Sequence, residues 1–161
     1  MSSNVLIKFD AVPGESIQAG FEEWIEVRSF SFQVSTPVNI AGQGLGSGKA
    51  NLGAYTVQTE MGAHSAALLK KVLEGKHHPS IDIRVLKNIG EDKLAPYFTI
   101  DGKKGYIESL SWSAGEDGHM YENITFHLEE HVWEYHQQDT ESGQLAAKGK
   151  MTYNVQTGLT A

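Results

Sequence analysis

Apolar and polar residues alternate with a period of two along most of the chain. The alternation covers residues 4–10, 23–35, 54–59, 80–86, 97–100, 105–113, 122–136 and 150–155. This spacing sends one face of a strand to a core and the other to water. Asp101-Gly102-Lys103-Lys104-Gly105 interrupts it and reads as a hairpin turn, because Asp-Gly accommodates the positive φ of tight turns. The period changes once. Ser65 reads as an N-cap and Gly75 as a C′ residue, and between them Leu68, Leu69, Val72 and Leu73 recur at helical spacing. Lys70, Lys71 and Glu74 then face water. No internal repeat, low-complexity tract or linker divides the chain, so residues 1–161 are expected to form one mostly β domain.

Two strands depart from simple alternation. In 23–35 the apolar set is Ile25 and Val27, then Phe30, Phe32 and Val34, so the phase flips near Arg28 and predicts a bulge or sharp bend. In 122–136, Ile124, Phe126, Leu128 and Val132 share one face while Trp133 and Tyr135 take the other. A strand apolar on both faces is covered on both sides, under the helix or against another subunit. Trp133 and Tyr135 are therefore candidate subunit contacts.

Composition narrows the function classes. The 17 glycines in 161 residues suit a protein with many turns. The net charge is −7, and the 13 basic residues are scattered, which excludes an electrostatic nucleic-acid surface. Without cysteine there is neither a disulfide framework nor a thiol nucleophile. The opening MSSNVLIKFD has no basic n-region, its apolar run is broken by Lys8, and no segment is long enough for a membrane span. The expectation is a protein that begins in the cytoplasm and does not leave by the general secretory route.

The motifs that suggest chemistry fail on inspection. The loop AGQGLGSGKAN at 41–51 has the look of a phosphate cradle. A P-loop ending at Gly48-Lys49 requires glycine where Gln43 stands, and a hydroxyl where Ala50 stands. The dinucleotide pattern places its third glycine on Ser47, Lys49 or Asn51, depending on the start. His127-Leu128-Glu129-Glu130-His131 matches the H-x-x-E-H pattern of zinc peptidases, which needs a helix to converge on one metal. The β-branched and aromatic flanks favour a strand, where the two histidines stand roughly 13 Å apart. The reading is of solvated strand residues. His77-His78 follows the helix, where imidazoles interact favourably with its dipole. No catalytic residue, metal or cofactor is expected.

Several stretches, in order, resemble the haemolysin-coregulated protein (Hcp) family, the tail-tube protein of type VI secretion systems. They are Leu6-Ile7-Lys8-Phe9-Asp10 with Gly14-Glu15-Ser16, Ile25-Glu26-Val27 before Ser29-Phe30-Ser31-Phe32, the glycine-rich loop, and the helix ending at Gly75-Lys76. Ile107-Glu108-Ser109, Glu122-Asn123-Ile124-Thr125-Phe126 and Tyr135-His136-Gln137-Gln138-Asp139 complete the set. Family members often carry tryptophan where Phe30, Phe32 and the region around Met151 and Tyr153 stand here, and these changes keep apolar bulk.

The resemblance implies a single-domain β-barrel of two packed sheets with one helix and a long loop. It implies a non-enzymatic homo-hexamer whose rings stack into a tube and meet spike, sheath and baseplate proteins. Sheath contraction then exports the tube with small effector proteins in its lumen. The alternative is a phage-like tail tube or other non-enzymatic binding module of the same fold. On this reading the loop, with Gly42, Gly44, Gly46, Gly48 and Lys49, reaches a neighbouring subunit or ring; otherwise it is a surface loop.

The same alternation nominates a lumen wall. Ser29, Ser31 and Gln33 interleave with Phe30 and Phe32, and Ser109, Ser111 and Ser113 interleave with Leu110 and Trp112. With the large side chains in the core, the small polar ones face the other side of the sheet. In a ring that side is the expected effector-binding inner wall; in an isolated subunit it is an ordinary wet face.

Overall fold

The computed structural model describes residues 3–39, 46–47 and 49–161. In chain order the strands are β1 (Val5–Phe9), β2 (Ile25–Ser31), β3 (Val34–Ser35), β4 (Val38–Asn39), β5 (Gly46–Ser47) and β6 (Asn51–Leu52). They continue with β7 (Tyr55–Glu60), β8 (His78–Asn88), β9 (Leu94–Ala114), β10 (Met120–Gln138) and β11 (Leu145–Asn154), and the helix α1 (Ala63–Leu73) lies between β7 and β8. The antiparallel ladder runs β10-β7-β2-β1-β8-β9, and β9 returns to β10, closing a six-stranded barrel. Closure pairs strand edges that would otherwise stay open. β11 adds to β10 outside the closed ring, and two short ladders, β3–β6 and β4–β5, form an arm between β2 and β7.

The inward residues of the alternating strands make the core. Ile7, Phe9, Ile25, Val27, Tyr55, Val57, Ile81, Ile83, Ile100, Ile124, Phe126 and Leu128 are all buried in one cluster. The predicted bulge is present: register shifts between Val27 and Ser29, so Arg28 is the extra residue and Phe30 turns inward with Val27. A second bulge lies at Glu108, where Ser109 opposes Thr125 and Ile107 opposes Phe126. It lets Ile107 and Leu110 both pack against the core although they are three residues apart.

The expected hairpin at Asp101–Gly105 is absent. β9 runs through it unbroken, with Gly102 opposite both Ile81 and His131, and Gly105 opposite Leu128. A Cβ on Gly102 would lie 2.7 Å from Leu128 Cδ2 and 2.8 Å from the Ile81 carbonyl oxygen. One on Gly105 would run into the Ile81 side chain, whose Cγ1 is 2.8 Å away. These glycines make room for core side chains rather than for a turn. Only Lys104, with φ +51°, carries a left-handed kink.

The helix also differs from expectation. Its N-cap is Gly62, and Ser65 sits inside the first turn, its Oγ accepting from the Gly62 N–H at 3.2 Å. Gly75 is the C′ residue as read, with φ +66°. The buried face is His64, Ser65 and Leu68, while Leu73 is 78% exposed. The cause is the floor beneath it, a buried carboxylate, Glu122 of β10, which demands donors from the helix where the pattern offered leucines. In β10 the inward phase passes from Leu128 to His131, so Trp133 packs against the core and Val132 does not.

Candidate functional site

Following the ladder across β2, β7, β10 and β9 shows which polar residues share one face of the barrel. Ser31 opposes Thr56, Thr56 opposes Thr125, and Thr125 opposes Ser109. The next row is Ser29, Gln58, Asn123 and Ser111. Directly opposed residues share a face, so eight uncharged polar side chains form two straight rows across four strands. The four serines are exposed and the middle residues half-buried. Ser113 continues the field opposite Tyr121, and Gln33 lies exposed just past β2. Thr56, Gln58, Asn123 and Thr125 share this face with the serines. They alternate with Tyr55, Val57, Ile124 and Phe126, the same signal that found the serines.

Charge is confined to the two rims of this field. At one, Arg28 pairs with Glu60 and lies 5.5 Å over the Tyr121 ring. At the other, His127 Nε2 stands 3.2 Å from Glu108 Oε2. His127 is exposed, as read from the sequence.

His131 is not. It is 2% exposed, and its ring stacks on Trp133 with centroids 4.9 Å apart. The Tyr55 hydroxyl and His131 Nδ1 share a hydrogen bond of 2.8 Å, and Trp133 Nε1 donates to the same phenol oxygen at 3.1 Å. Burial lowers the His131 pKa to about 4 and, with no opposing charge, raises that of Tyr55 beyond the ordinary phenol range. His78, read as a helix-end imidazole, is likewise fully buried, with its ring edge-on to Phe9. Both histidines are core residues, and the two of the H-x-x-E-H stretch face different surroundings.

The buried cluster under α1 has the residue types of a catalytic site. His64 Nε2 lies 3.2 Å from Glu122 Oε1, Ser65 Oγ donates to the same oxygen at 3.3 Å, and Trp112 Nε1 donates to Glu122 Oε2. Burial alone would raise the Glu122 pKa, but the hydrogen bonds from His64, Trp112 and Ser65 outweigh it and hold the carboxyl below the ordinary range. The arrangement is that of a satisfied anion. The serine spends its proton on the carboxylate rather than on the imidazole, and Ser65, His64 and Glu122 are all at most 3% exposed. The chemistry it supports is fixing the helix to the barrel.

Of the nominated subunit contacts, Trp133 is half-buried on the Tyr55–His131 pair, and Tyr135 is 46% exposed with its ring edge-on to Tyr97. Of the loop residues, Gly46 pairs with Asn39 and Lys49 is exposed. Gly42, Gly44 and Gly48 lie outside the described residues. No helix among the described residues is long and apolar enough to cross a membrane.

A closed barrel with one covering helix among the described residues is a fold this chain shares with type VI secretion proteins. The family model described as "Type VI secretion system effector, Hcp" matches residues 6–135, and the chain belongs to the Hcp family, a tail-tube component of that system. One similar solved structure is described as a type six secretion system protein, 25% identical, covering 98% of each chain with a TM-score of 0.89. Hcp1 from Salmonella typhimurium is 20% identical over 98% of this chain and 97% of its own, with a TM-score of 0.76. A type VI secretion system effector from Yersinia pestis is 20% identical over 94% and 99%, with a TM-score of 0.73. These last two likenesses are of fold. No curated protein matches the sequence.

Proposed function

We propose that this chain is a structural, non-enzymatic tube subunit that closes into six-membered rings. The rings stack into a tube and, driven by the contractile sheath, leave the cytoplasm for the exterior with small effector proteins inside. Spike, sheath and baseplate proteins are its partners in that assembly. The observation that carries the reading is the uncharged wall of Ser29, Ser31, Gln58, Asn123, Ser109 and Ser111 on a chain of net charge −7. Small side chains leave a bore wide, and neutral donors and acceptors bind varied passengers without selecting for charge. The arm with Gly46 and Lys49, and the Trp133–Tyr135 stretch, would supply contacts between copies. A ring of identical subunits needs a head-to-tail interface that closes by rotation.

Native mass spectrometry should give about six times the subunit mass, the six following from family membership. A strict monomer at tens of micromolar overturns the ring. For the wall, Ser31→Gln adds bulk to an exposed site and should cost the fold no more than about 0.5 kcal/mol. The variant ring should form and be exported but retain its cognate effector less well, read by co-purification. Unchanged retention would place Ser31 away from the passenger.

A further inference from the structure

The Tyr55–His131–Trp133 relay joins the barrel core to the root of the arm. Trp133 accepts nothing and donates to the Tyr55 oxygen; Tyr55 in turn shares a hydrogen bond with His131 Nδ1. The phenol proton finds an acceptor in this group when His131 carries its own proton on Nε2, a nitrogen without a well-formed hydrogen bond, and the Leu128 carbonyl is the backbone group that favours the charged ring. Above the relay lies an apolar groove of about 410 Å³ whose walls include Phe30, Phe32, Phe98, Trp133 and Met151. Phe32 stacks on Tyr55 at 4.4 Å and packs on Trp133 at 5.8 Å. It stands two residues before Val34, where β3 meets Leu52 of β6, and Gly53 N–H clasps the Gln33 carbonyl at 2.8 Å.

We propose that this relay is a proton-operated latch: a charged His131 releases Trp133 and Phe32 and frees the arm root before the barrel opens. A protonated Nδ1 is a donor, so the Tyr55 oxygen would face two donors, Trp133 Nε1–H and His131 Nδ1–H. Its own hydroxyl proton would then point into apolar surroundings. The imidazolium has no counter-ion at hand. β7 presents the Tyr55 phenol, β11 presents the Tyr153 ring at 6.4 Å, and β9 presents Gly102. The nearest carboxylates along β10, Glu129 and Glu130, are engaged by Lys104 and Lys103. Charging His131 therefore favours a state in which the ring reaches water. The direction of release is set by packing, because Trp133 and Phe32 are only part-buried while Tyr55 and Phe126 are sealed. If the arm joins copies, as the functional reading has it, acid loosens that joint; the latch itself does not depend on that reading.

Hydrogen exchange on the full-length protein tests it. Rates at residues 32–35 and 51–53 are compared with barrel amides at 81–83 and 124–126 from pH 7 to 5, after correction for intrinsic chemistry. A His131 pKa near 4 closed and 6.5 open predicts that arm-root opening rises on the order of twentyfold over this range, with the barrel amides lagging. His131→Gln keeps an acceptor for Tyr55 but cannot be charged, and should remove the rise. No rise in the parent protein, or the same rise in His131→Gln, overturns the latch. Should that variant fail to fold, the parent's Trp133 indole N–H resonance decides. It should shift with the His131 titration, and an unmoved resonance overturns the proposal. Effector loss or ring dissociation in acid is scored separately, so the latch and the ring reading fail independently.

Discussion

Gly105→Val will prevent the barrel from closing. The new Cβ falls on the Ile81 side chain, with Leu128 Cδ2 at 3.2 Å on its other flank, and both residues are buried. Neither can retreat, because β8, β9 and β10 are hydrogen-bonded to one another at that level. Overpacking of this kind costs roughly 3 kcal/mol or more, a large fraction of the stability of an ordinary domain. Urea unfolding followed by circular dichroism should show the midpoint collapse or no folded baseline. Gly149→Ala on β11 is the matched control, since its Cβ would meet open space, and it should stay within about 0.5 kcal/mol of the parent. A Gly105→Val protein as stable as Gly149→Ala would mean that the β9 glycines are not making room for the core.

The second large effect is acid destabilisation. His78 and His131, 0% and 2% exposed, have pKa values lowered by burial from 6.5 to about 4, with Lys71 adding to the effect at His78. The unfolded chain therefore binds more protons than the folded one between pH 6.5 and 4, and stability falls as pH falls through that window. Each histidine contributes about 3 kcal/mol to the loss. Asp82 works the other way. Burial and the neighbouring Asp101 raise its pKa from 3.8 to about 6, so its contribution grows as pH falls from 6 toward 3.8. The net expected loss is about 3 kcal/mol between pH 6.5 and 4. Denaturant titrations at closely spaced pH values measure it, and His78→Asn should flatten the slope by one proton's share. Stability independent of pH across the window would show that the two imidazoles are hydrated in the folded protein.

The fold is legible in the sequence where side chains report on the backbone. The Arg28 bulge was visible because Val27 and Phe30, three apart, both demand the core. The shared polar face was visible because Ser29, Ser31, Ser109 and Ser111 fill the gaps between large apolar residues. The fold is not legible where the decisive partner is distant in the chain. Asp101–Gly105 carries turn chemistry, and only Ile81 and Leu128 explain why glycine is needed in a straight strand. The face that α1 buries is dictated by Glu122, nearly fifty residues beyond the helix. His131 looked solvated because its polarity is absorbed by Tyr55, more than seventy residues before it. Periodicity sees an element's own faces and is blind to buried polar groups that satisfy each other across the fold.

The long β9–β10 ladder, from Met120 opposite Ala114 to Tyr135 opposite Phe98, also has a mechanical consequence. Tension that draws these two strands past each other along their length loads their hydrogen bonds in parallel, so many must yield together. Tension that peels them apart from the Gly115–Gly118 turn meets them one at a time. The subunit is therefore stiff along its strands and weak across them. Force spectroscopy with handles at opposite ends of β9 and β10 should find rupture forces well above those obtained by unzipping from the turn.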